Sequence, residues 1–442
     1  MIALSLAVIF ALMLLIRSPL LHSLGLPEQS TSIALGFILI FAFLFGKKTA
    51  ALKLPQITGY IFAGILCGPF VFKFLSRTEV HDLQLLDGLA LSLIALTAGG
   101  EMHLDRLKNR FRSISAVVLF QTAVVMIGFL GFGLLVLPFF GIVTPDDFPN
   151  LLAFTLLLGT LATATSPSTT IAVITETRSQ GDNTDLVLSS AVVKDFLVIT
   201  LFAFSLSLAG TLTSPGKGLS VAFLLRIFRE IGGSLLLGLV IGVVVILYLR
   251  YVKRELSVFI LGVSFFTYEI SHAYGYHPLL ICLLAGFIVQ NLSSLGDRLI
   301  TALEKVSTPV YVVFFAISGA SLDLETFRTG WLLALLCFGF RGLLKFLGTH
   351  IGSRIAKEKA FFQKFGWMGF ISQAGVTLGM AIVIEDAFPE WGGMFKALIL
   401  GVIALNQVIG PVMLQKFLLR SGEAGEKAKF KPWARRLSED SG

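Results

Sequence analysis

Long runs of apolar residues, separated by short polar segments, make up most of this 442-residue chain. A run of about 17–25 apolar residues can cross a bilayer as an α-helix. Fourteen runs approach that length, although several are short enough to be half-inserted or to merge with a neighbour. In chain order they cover residues 2–16, 32–46, 56–71, 85–100, 116–140, 150–176, 186–210, 220–249, 257–274, 279–293, 308–322, 331–353, 366–388 and 396–419. Membrane β-strands would alternate apolar and polar residues, so this pattern predicts an all-α polytopic membrane protein with about 14 transmembrane helices.

The basic residues in the connecting loops predict the orientation of these spans. Loops that follow an even-numbered span hold 17 Lys and Arg, whereas odd-numbered loops hold 8, even when those at helix starts are included. Cytoplasmic loops carry an excess of Lys and Arg. The loops that follow even-numbered spans are therefore predicted to be cytoplasmic, with both termini on the same, inner side. Residues 1–420 are then one transmembrane domain in the cell inner (plasma) membrane, and residues 421–442 are a short basic cytoplasmic tail.

Composition excludes several functional classes. The chain is 55% hydrophobic and only 14% charged, whereas soluble domains carry about 25% charged residues, so a water-soluble enzyme is excluded and the lipid bilayer is the solvent. The net charge of +8 would suit nucleic acid, but the basic residues are dispersed over short loops, so no nucleic-acid partner is expected.

Cys67, Cys282 and Cys337 lie in apolar runs, which argues against a disulfide framework and against zinc. The sequence has no ATP-binding motif, and we expect no cofactor.

Two short segments of the chain resemble each other. Pro55 is followed eight residues later by Ala63-Gly64, and Pro278 is followed seven residues later by Ala285-Gly286. The first segment opens span 3 and the second opens span 10, and an offset of seven spans reverses the direction in the membrane. Inverted repeats of this kind are typical of secondary transporters, in which broken helices meet near the midplane. We therefore predict that spans 3–7 and 10–14 are inverted repeats.

Spans 6 and 13, which occupy matching places in the two repeats, both contain polar segments. Residues 163–170 read Thr-Ala-Thr-Ser-Pro-Ser-Thr-Thr, and residues 370–377 read Phe-Ile-Ser-Gln-Ala-Gly-Val-Thr. Proline removes a backbone donor and clashes with the preceding turn, and the freed carbonyls are tolerated where they line a cavity. The alternative is a simple proline kink in which the hydroxyls bond back to the helix. The candidate ion-binding residues in the two segments are Thr165, Ser166, Pro167, Ser168, Ser372 and Gln373.

Charged residues inside the spans are few. Lys194 and Asp195 lie in span 7, and Arg341 and Lys345 lie in span 12. Each such charge costs roughly 2.5–3.5 kcal/mol to insert, so it requires a partner or a transport pathway. Asp195 is the central carboxylate available to these cations, and one interpretation is a structural ion pair between spans 7 and 12. Asn406 and Gln407 in span 14 are the repeat counterparts of Lys194 and Asp195.

Taken together, these motifs resemble the monovalent cation:proton antiporters, in particular the Kef-type, antiporter-2 branch of the sodium/hydrogen exchangers, over roughly residues 30–420. The resemblance rests on residues 54–60, 63–64, 68–69, 164–168, 193–195, 344–349 and 373–379. It implies a homodimer with a scaffold at the interface, a core with two crossed broken helices, and elevator-like alternating access. It also implies that Asp195 is the ion-carrying carboxylate and that Lys345 is its charge partner. The family usually has Asp, Asn or Gln before that aspartate, whereas this chain has Lys194.

The resulting hypothesis is an electroneutral antiporter that exchanges Na⁺ or K⁺ for H⁺. Asp195 would alternate between a proton and a transiently bound cation, and Thr165, Ser166, Ser168 and the carbonyls of the broken helices would complete the cation's shell. Lys194 would compete with the transported cation and so weaken its affinity. Two other classes stay open. One is a proton-coupled carrier of an anion or organic solute, suggested by the buried positive charges. The other is a sensor subunit that does not transport.

Overall fold

The computed structural model describes residues 2–16, 30–83, 85–141, 147–213, 221–252, 254–322, 324–373 and 375–425. These residues form α-helices and two 3₁₀ segments, Leu137–Phe140 and Gly366–Phe370. The helices are α1 (Ile2–Ile16), α2 (Thr31–Ala51), α3 (Gln56–Cys67), α4 (Arg77–Leu83), α5 (Leu85–Glu101), α6 (Leu104–Val136), α7 (Phe148–Thr163), α8 (Pro167–Thr177), α9 (Asp182–Thr213), α10 (Val221–Tyr251), α11 (Leu256–Tyr274), α12 (Pro278–Leu292), α13 (Gly296–Ala320), α14 (Leu324–Ile355), α15 (Ala360–Phe365), α16 (Gly375–Ala387) and α17 (Gly392–Ser421).

The helices confirm the predicted all-α membrane architecture. Within the described residues, ten helical segments are long and apolar enough to cross a membrane, and the broken pair α7–α8 counts as one of them. Three shorter apolar helices are Ser5–Ile16, Gln56–Cys67 and Pro278–Leu292. The predicted span 366–388 corresponds to the 3₁₀ segment Gly366–Phe370 and helix α16, separated by a non-helical stretch. The exact number of crossings stays a prediction.

The two halves of the chain pack against each other through matching pairs of helices. Helix α3 packs on α13, and α5 packs on α12. A Cβ atom on Gly64 would overlap the carbonyl oxygen of Ala316, and a Cβ on Gly286 would overlap that of Leu96. Small residues allow membrane helices to approach this closely. The repeated Ala-Gly pairs of the sequence are therefore helix-contact positions, arranged as an inverted repeat requires.

Loops that follow even-numbered spans meet on one side of the helix bundle. Arg110 pairs with Asp182 at 2.9 Å and with Glu358 at 3.0 Å. The Glu423 carboxylate, just after α17, accepts a hydrogen bond of 2.7 Å from the backbone N–H of Thr184 at the start of α9. These loops thus share one side, as the predicted topology requires, and the compartment that this side faces stays a prediction. The basic residues of the predicted tail lie outside the described residues, and the domain boundaries at 420 and 421 also stay predictions.

Candidate ion-binding site

The helices of spans 6 and 13 are both interrupted, and the two interruptions touch. Helix α7 ends at Thr163, and α8 begins at Pro167 after a short extended segment. In span 13, residues 371–373 separate the 3₁₀ segment from α16. The backbone N–H of Ser166 donates to the carbonyl of Ser372 at 2.9 Å. The chain is therefore broken rather than merely kinked at Pro167, and the two broken helices cross.

The sequence around Pro167 explains why a new helix begins there. Proline is well suited to the first position of a helix, because its missing N–H would have no intrahelical partner at that position. Ser166 caps the helix, since its hydroxyl accepts a hydrogen bond of 3.2 Å from the backbone N–H of Thr169. Ser168 lies in the first turn and is buried. The predicted residues Ser166, Pro167 and Ser168 thus form the start of the second half-helix.

The carbonyls at the end of α7 are satisfied largely by the side chains of α14. Arg341 donates from Nε to the carbonyl of Ala162 at 2.9 Å and from Nη2 to that of Ala164 at 2.6 Å. Lys345 Nζ lies 2.8 Å from the carbonyl oxygen of Thr163 and 2.8 Å from Thr165 Oγ1. The last carbonyls of a helix carry partial negative charge and lack partners within the helix. These two cations therefore act as a charged cap on the broken end of α7.

Neutral amides connect the second break to the first. Arg341 Nη1 donates to the carbonyl of Ile371 and to Asn406 Oδ1, both at 2.8 Å. The Asn406 amide donates to Gln373 Oε1, and Gln373 in turn donates to the carbonyl of Leu161 on α7, both at 2.9 Å. Gln373 is thus placed at the crossing, as predicted. Ser372 lies there too, and its buried hydroxyl has no hydrogen-bond partner among the described residues.

The alternative interpretation, a structural ion pair between spans 7 and 12, is not seen among the described residues. In the part of the chain that the structure describes, neither Arg341 nor Lys345 has a carboxylate partner. Backbone carbonyls supply the compensating charge instead. In this structure, Thr165 Oγ1 and the carbonyls of Thr163 and Ala164 accept hydrogen bonds from the two cations. The role of Thr165, Ser166 and Ser168 as ligands of the transported cation stays a prediction.

Lys194 and Asp195, which are neighbours on α9, have contrasting environments. Lys194 is 1% exposed, and its ammonium group donates to Gln121 Oε1 and lies 5.7 Å from the centre of the Phe370 ring. Asp195 is half-buried and accepts no hydrogen bond within the described residues. Asp195 is therefore a carboxylate in the middle of α9 without a protein counter-charge in the described part of the chain.

Gln121 is a site residue that the reasoning from sequence missed. Its side chain is fully buried on α6, where it accepts from Lys194 and donates to Thr349 Oγ1 at 2.5 Å. A signal was present, because Gln121 is the one amide side chain in the largely apolar run 116–140. Polar residues inside membrane spans usually face the interior of the bundle and have a function there.

Comparisons with known proteins agree with this geometry. Residues 36–420 match the transmembrane sodium/hydrogen exchanger family. The chain is 22% identical over 368 residues to a Na⁺/H⁺ antiporter of Enterococcus hirae, covering 82% of this chain and 92% of that protein. It is 24% identical over 406 residues to Na⁺/H⁺ antiporter 1 of Methanocaldococcus jannaschii, covering 87% and 90%.

A solved structure shows the same fold. The sodium proton antiporter MjNhaP1 from Methanocaldococcus jannaschii superposes with a TM-score of 0.66 at 18% identity, covering 90% of this chain and 98% of that one. The Kef-type branch stays a prediction. Because the family match spans most of the sequence, this chain belongs to the sodium/hydrogen exchanger family and is a secondary transporter, a monovalent cation:proton antiporter rather than an enzyme.

Proposed function

We propose that this protein exchanges Na⁺ or K⁺ for H⁺ across the membrane and that Asp195 carries both ions in turn. The observation that supports this most is the difference in pairing between Asp195 and the buried cations of α9 and α14. Arg341 and Lys345 are bonded to backbone carbonyls, and Lys194 is bonded to an amide. Asp195, in contrast, has no hydrogen-bond or ion-pair partner among the residues that the structure describes. A half-buried carboxylate without an internal counter-charge is the group best suited to bind a proton or a cation from outside.

The proposed exchange is electroneutral. Asp195 is the one carboxylate that we assign to transport, so it releases one proton for each monovalent cation that it binds. The hydrogen bonds of Arg341 and Lys345 to the end of α7 give these residues a structural task that does not require them to gain or lose protons. The unpartnered Ser372 hydroxyl and the half-helix dipoles at the crossing assist in stabilising the bound cation.

The transport cycle that we propose is alternating access. The crossed breaks place irregular backbone in the middle of the bundle, where substrate sites of inverted-repeat transporters lie. We further propose a homodimer in the cell inner (plasma) membrane, with both termini in the cytoplasm. The excess of Lys and Arg in the even-numbered loops supports this orientation.

The experiment that tests the function is an exchange assay in proteoliposomes. Purified protein is reconstituted with a pH-sensitive dye inside, and Na⁺, K⁺, Li⁺ or an anion is added outside. We expect Na⁺ or K⁺ to drive proton movement, and we expect Asp195→Asn to abolish it while the purified protein stays folded. Asp386→Asn is the matched control, because Asp386 is exposed at the end of α16, and it should retain full activity.

The same assay separates the other classes. Proton movement driven by an anion or organic solute would favour the solute carrier, and the absence of response to any ion would favour a sensor. Full activity of Asp195→Asn would overturn the proposed role of Asp195. An imposed membrane potential should leave the rate of an electroneutral exchange unchanged, so a rate that depends on the potential would contradict the stoichiometry.

A further inference from the structure

Gln121 links the buried charges of two different helices. Its amide oxygen accepts from the Lys194 ammonium of α9, and its amide nitrogen donates to Thr349 of α14. We propose that Gln121 is a positioning residue that holds the Lys194 ammonium away from Asp195 and thereby sets the affinity for the transported cation. This inference rests on the proposed function of Asp195 as the ion-carrying carboxylate.

The orientation of the Gln121 amide is fixed by its neighbours. Thr349 uses its hydroxyl hydrogen to donate to the carbonyl of Lys345 at 2.7 Å, so its oxygen is left to accept from Gln121 Nε2 at 2.5 Å. The amide oxygen must then point to the opposite side, where Lys194 lies. An ammonium group is a pure donor, so this arrangement leaves Lys194 well matched to Gln121.

Close packing of two helices fixes the backbone of Gln121 as well. A Cβ atom on Gly348 of α14 would lie 2.5 Å from the Cα atom of Gln121, and one on Gly352 would lie 2.6 Å from the carbonyl oxygen of Ala116. The two helices therefore touch through their backbones at Gln121 and again at Ala116, further toward the N-terminus of α6. Gln121 has little freedom to follow Lys194 if the lysine moves.

Removal of the Gln121 amide oxygen would favour movement of the Lys194 ammonium toward Asp195. A buried ammonium group without an acceptor is strongly unfavourable. The other buried cations near it, Arg341 and Lys345, repel it, and the free carboxylate on the next residue attracts it. Although neighbouring side chains on a helix diverge by about 100°, the long lysine side chain can bend toward the Asp195 carboxylate. Lys194 would then occupy Asp195 as a tethered cation and compete with Na⁺ or K⁺.

The test is a set of variants in the proteoliposome assay, with initial rates measured over a range of cation concentrations. Gln121→Met keeps the size of the side chain but removes the acceptor, and we expect KM for the cation to rise at least about tenfold with little change in the maximal rate. Lys194→Met/Gln121→Met removes the competing ammonium as well, and its KM should return to that of Lys194→Met alone. Gln290→Met on α12 is the matched control and should behave as the wild type.

These variants separate positioning from structural damage. A KM unchanged in Gln121→Met would overturn the proposal, and so would a double variant whose KM stays as high as that of Gln121→Met. If Gln121→Met does not fold, two other variants test the proposal. Gln121→Glu keeps an acceptor for Lys194 and should give a KM no higher than that of the wild type. Thr349→Val removes the hydroxyl that orients the Gln121 amide and should raise KM severalfold. Failure of these two expectations would also overturn the proposal. A wild-type protein that moves no protons in response to cations would instead refute the proposed function.

Discussion

The two breaks at the crossing occupy matching places in the predicted repeats but are stabilised by different chemistry. At the first break, carbonyls of residues 162–164 accept from the guanidinium of Arg341 and the ammonium of Lys345. At the second break, one carbonyl accepts from Arg341, and the other contacts come from a backbone N–H, the Thr165 hydroxyl and the amides of Gln373 and Asn406. The matching places of the two breaks are thus not accompanied by a matching distribution of charge.

This difference supports a division between charges that stabilise the broken helix, those of Arg341 and Lys345, and the charge of Asp195 that we propose to bind the transported ion. The cations of α14 neutralise the negative end of α7, which is a task that any interrupted membrane helix must solve. The α6 helix corresponds to α14 in the other predicted repeat. Where α14 carries two buried cations, α6 carries the neutral Gln121. Because the cations of α14 are bonded to the backbone, they do not neutralise Asp195, which supports its proposed role in binding the transported ion. The expected effects of substitutions at the crossing follow from this division.

The largest effect on stability is expected for Arg341→Met. This change removes the donors to Ala162, Ala164, Ile371 and Asn406 together, and both breaks lose a partner. Each buried acceptor left unsatisfied costs about 1–3 kcal/mol, so we expect a loss of at least about 3 kcal/mol in the free energy of unfolding. Thermal unfolding in detergent measures the effect, and Arg354→Met on the exposed end of α14 is the control. An unfolding temperature equal to that of the control would show that the guanidinium does not hold the crossing.

A smaller effect is expected for Lys345→Met, because Lys345 contacts only the first break. The carbonyl of Thr163 and the hydroxyl of Thr165 would lose their donor, which should lower the free energy of unfolding by about 2 kcal/mol. Since Lys345 is not paired with Asp195, we expect KM for the cation to change much less than the unfolding temperature does. Lys416→Met, on an exposed position of α17, is the matched control. A large rise in KM without loss of stability would instead make Lys345 the charge partner that the family resemblance implies.

The sequence was sufficient to predict the architecture of the crossing. The mid-span Pro167 and the polar residues around Ser372 predicted two broken helices at matching places. The Ala-Gly pairs at Gly64 and Gly286 predicted the inverted repeat, and the structure gives their physical reason, which is close approach of helix backbones. These features are predictable because each depends on the chemistry of local residues, namely a missing N–H or a missing side chain.

The partners of the buried charges were not predictable in the same way. Reasoning from charge alone offered Asp195 as a possible partner of Arg341 and Lys345, because Asp195 is the central carboxylate of the spans. Every residue carries a backbone carbonyl, so the sequence does not mark the few that a broken helix leaves free. For the same reason the position of Gln121 beside Lys194 required the packing of α6 against α14, which no local pattern specifies.

The smallest effect on stability, and the sharpest test of the second break, is expected for Ser372→Ala. The Ser372 hydroxyl is buried at the crossing without a partner among the described residues, and removal of such a group costs little stability or even increases it. As a neutral oxygen beside the proposed path, however, the hydroxyl suits Na⁺ or K⁺, so its loss should raise KM about threefold or more. In free energy of binding, this is less than the loss of one strong cation ligand would cost. Ser264→Ala is the matched control, because Ser264 is an equally buried and unpartnered hydroxyl on α11, away from the crossing. Both variants should unfold at nearly the wild-type temperature, and only Ser372→Ala should change the dependence of exchange on cation concentration. Equal KM values in the two variants would mean that the second break contributes no oxygen to the ion, and that the ion is bound by Asp195 with ligands from elsewhere.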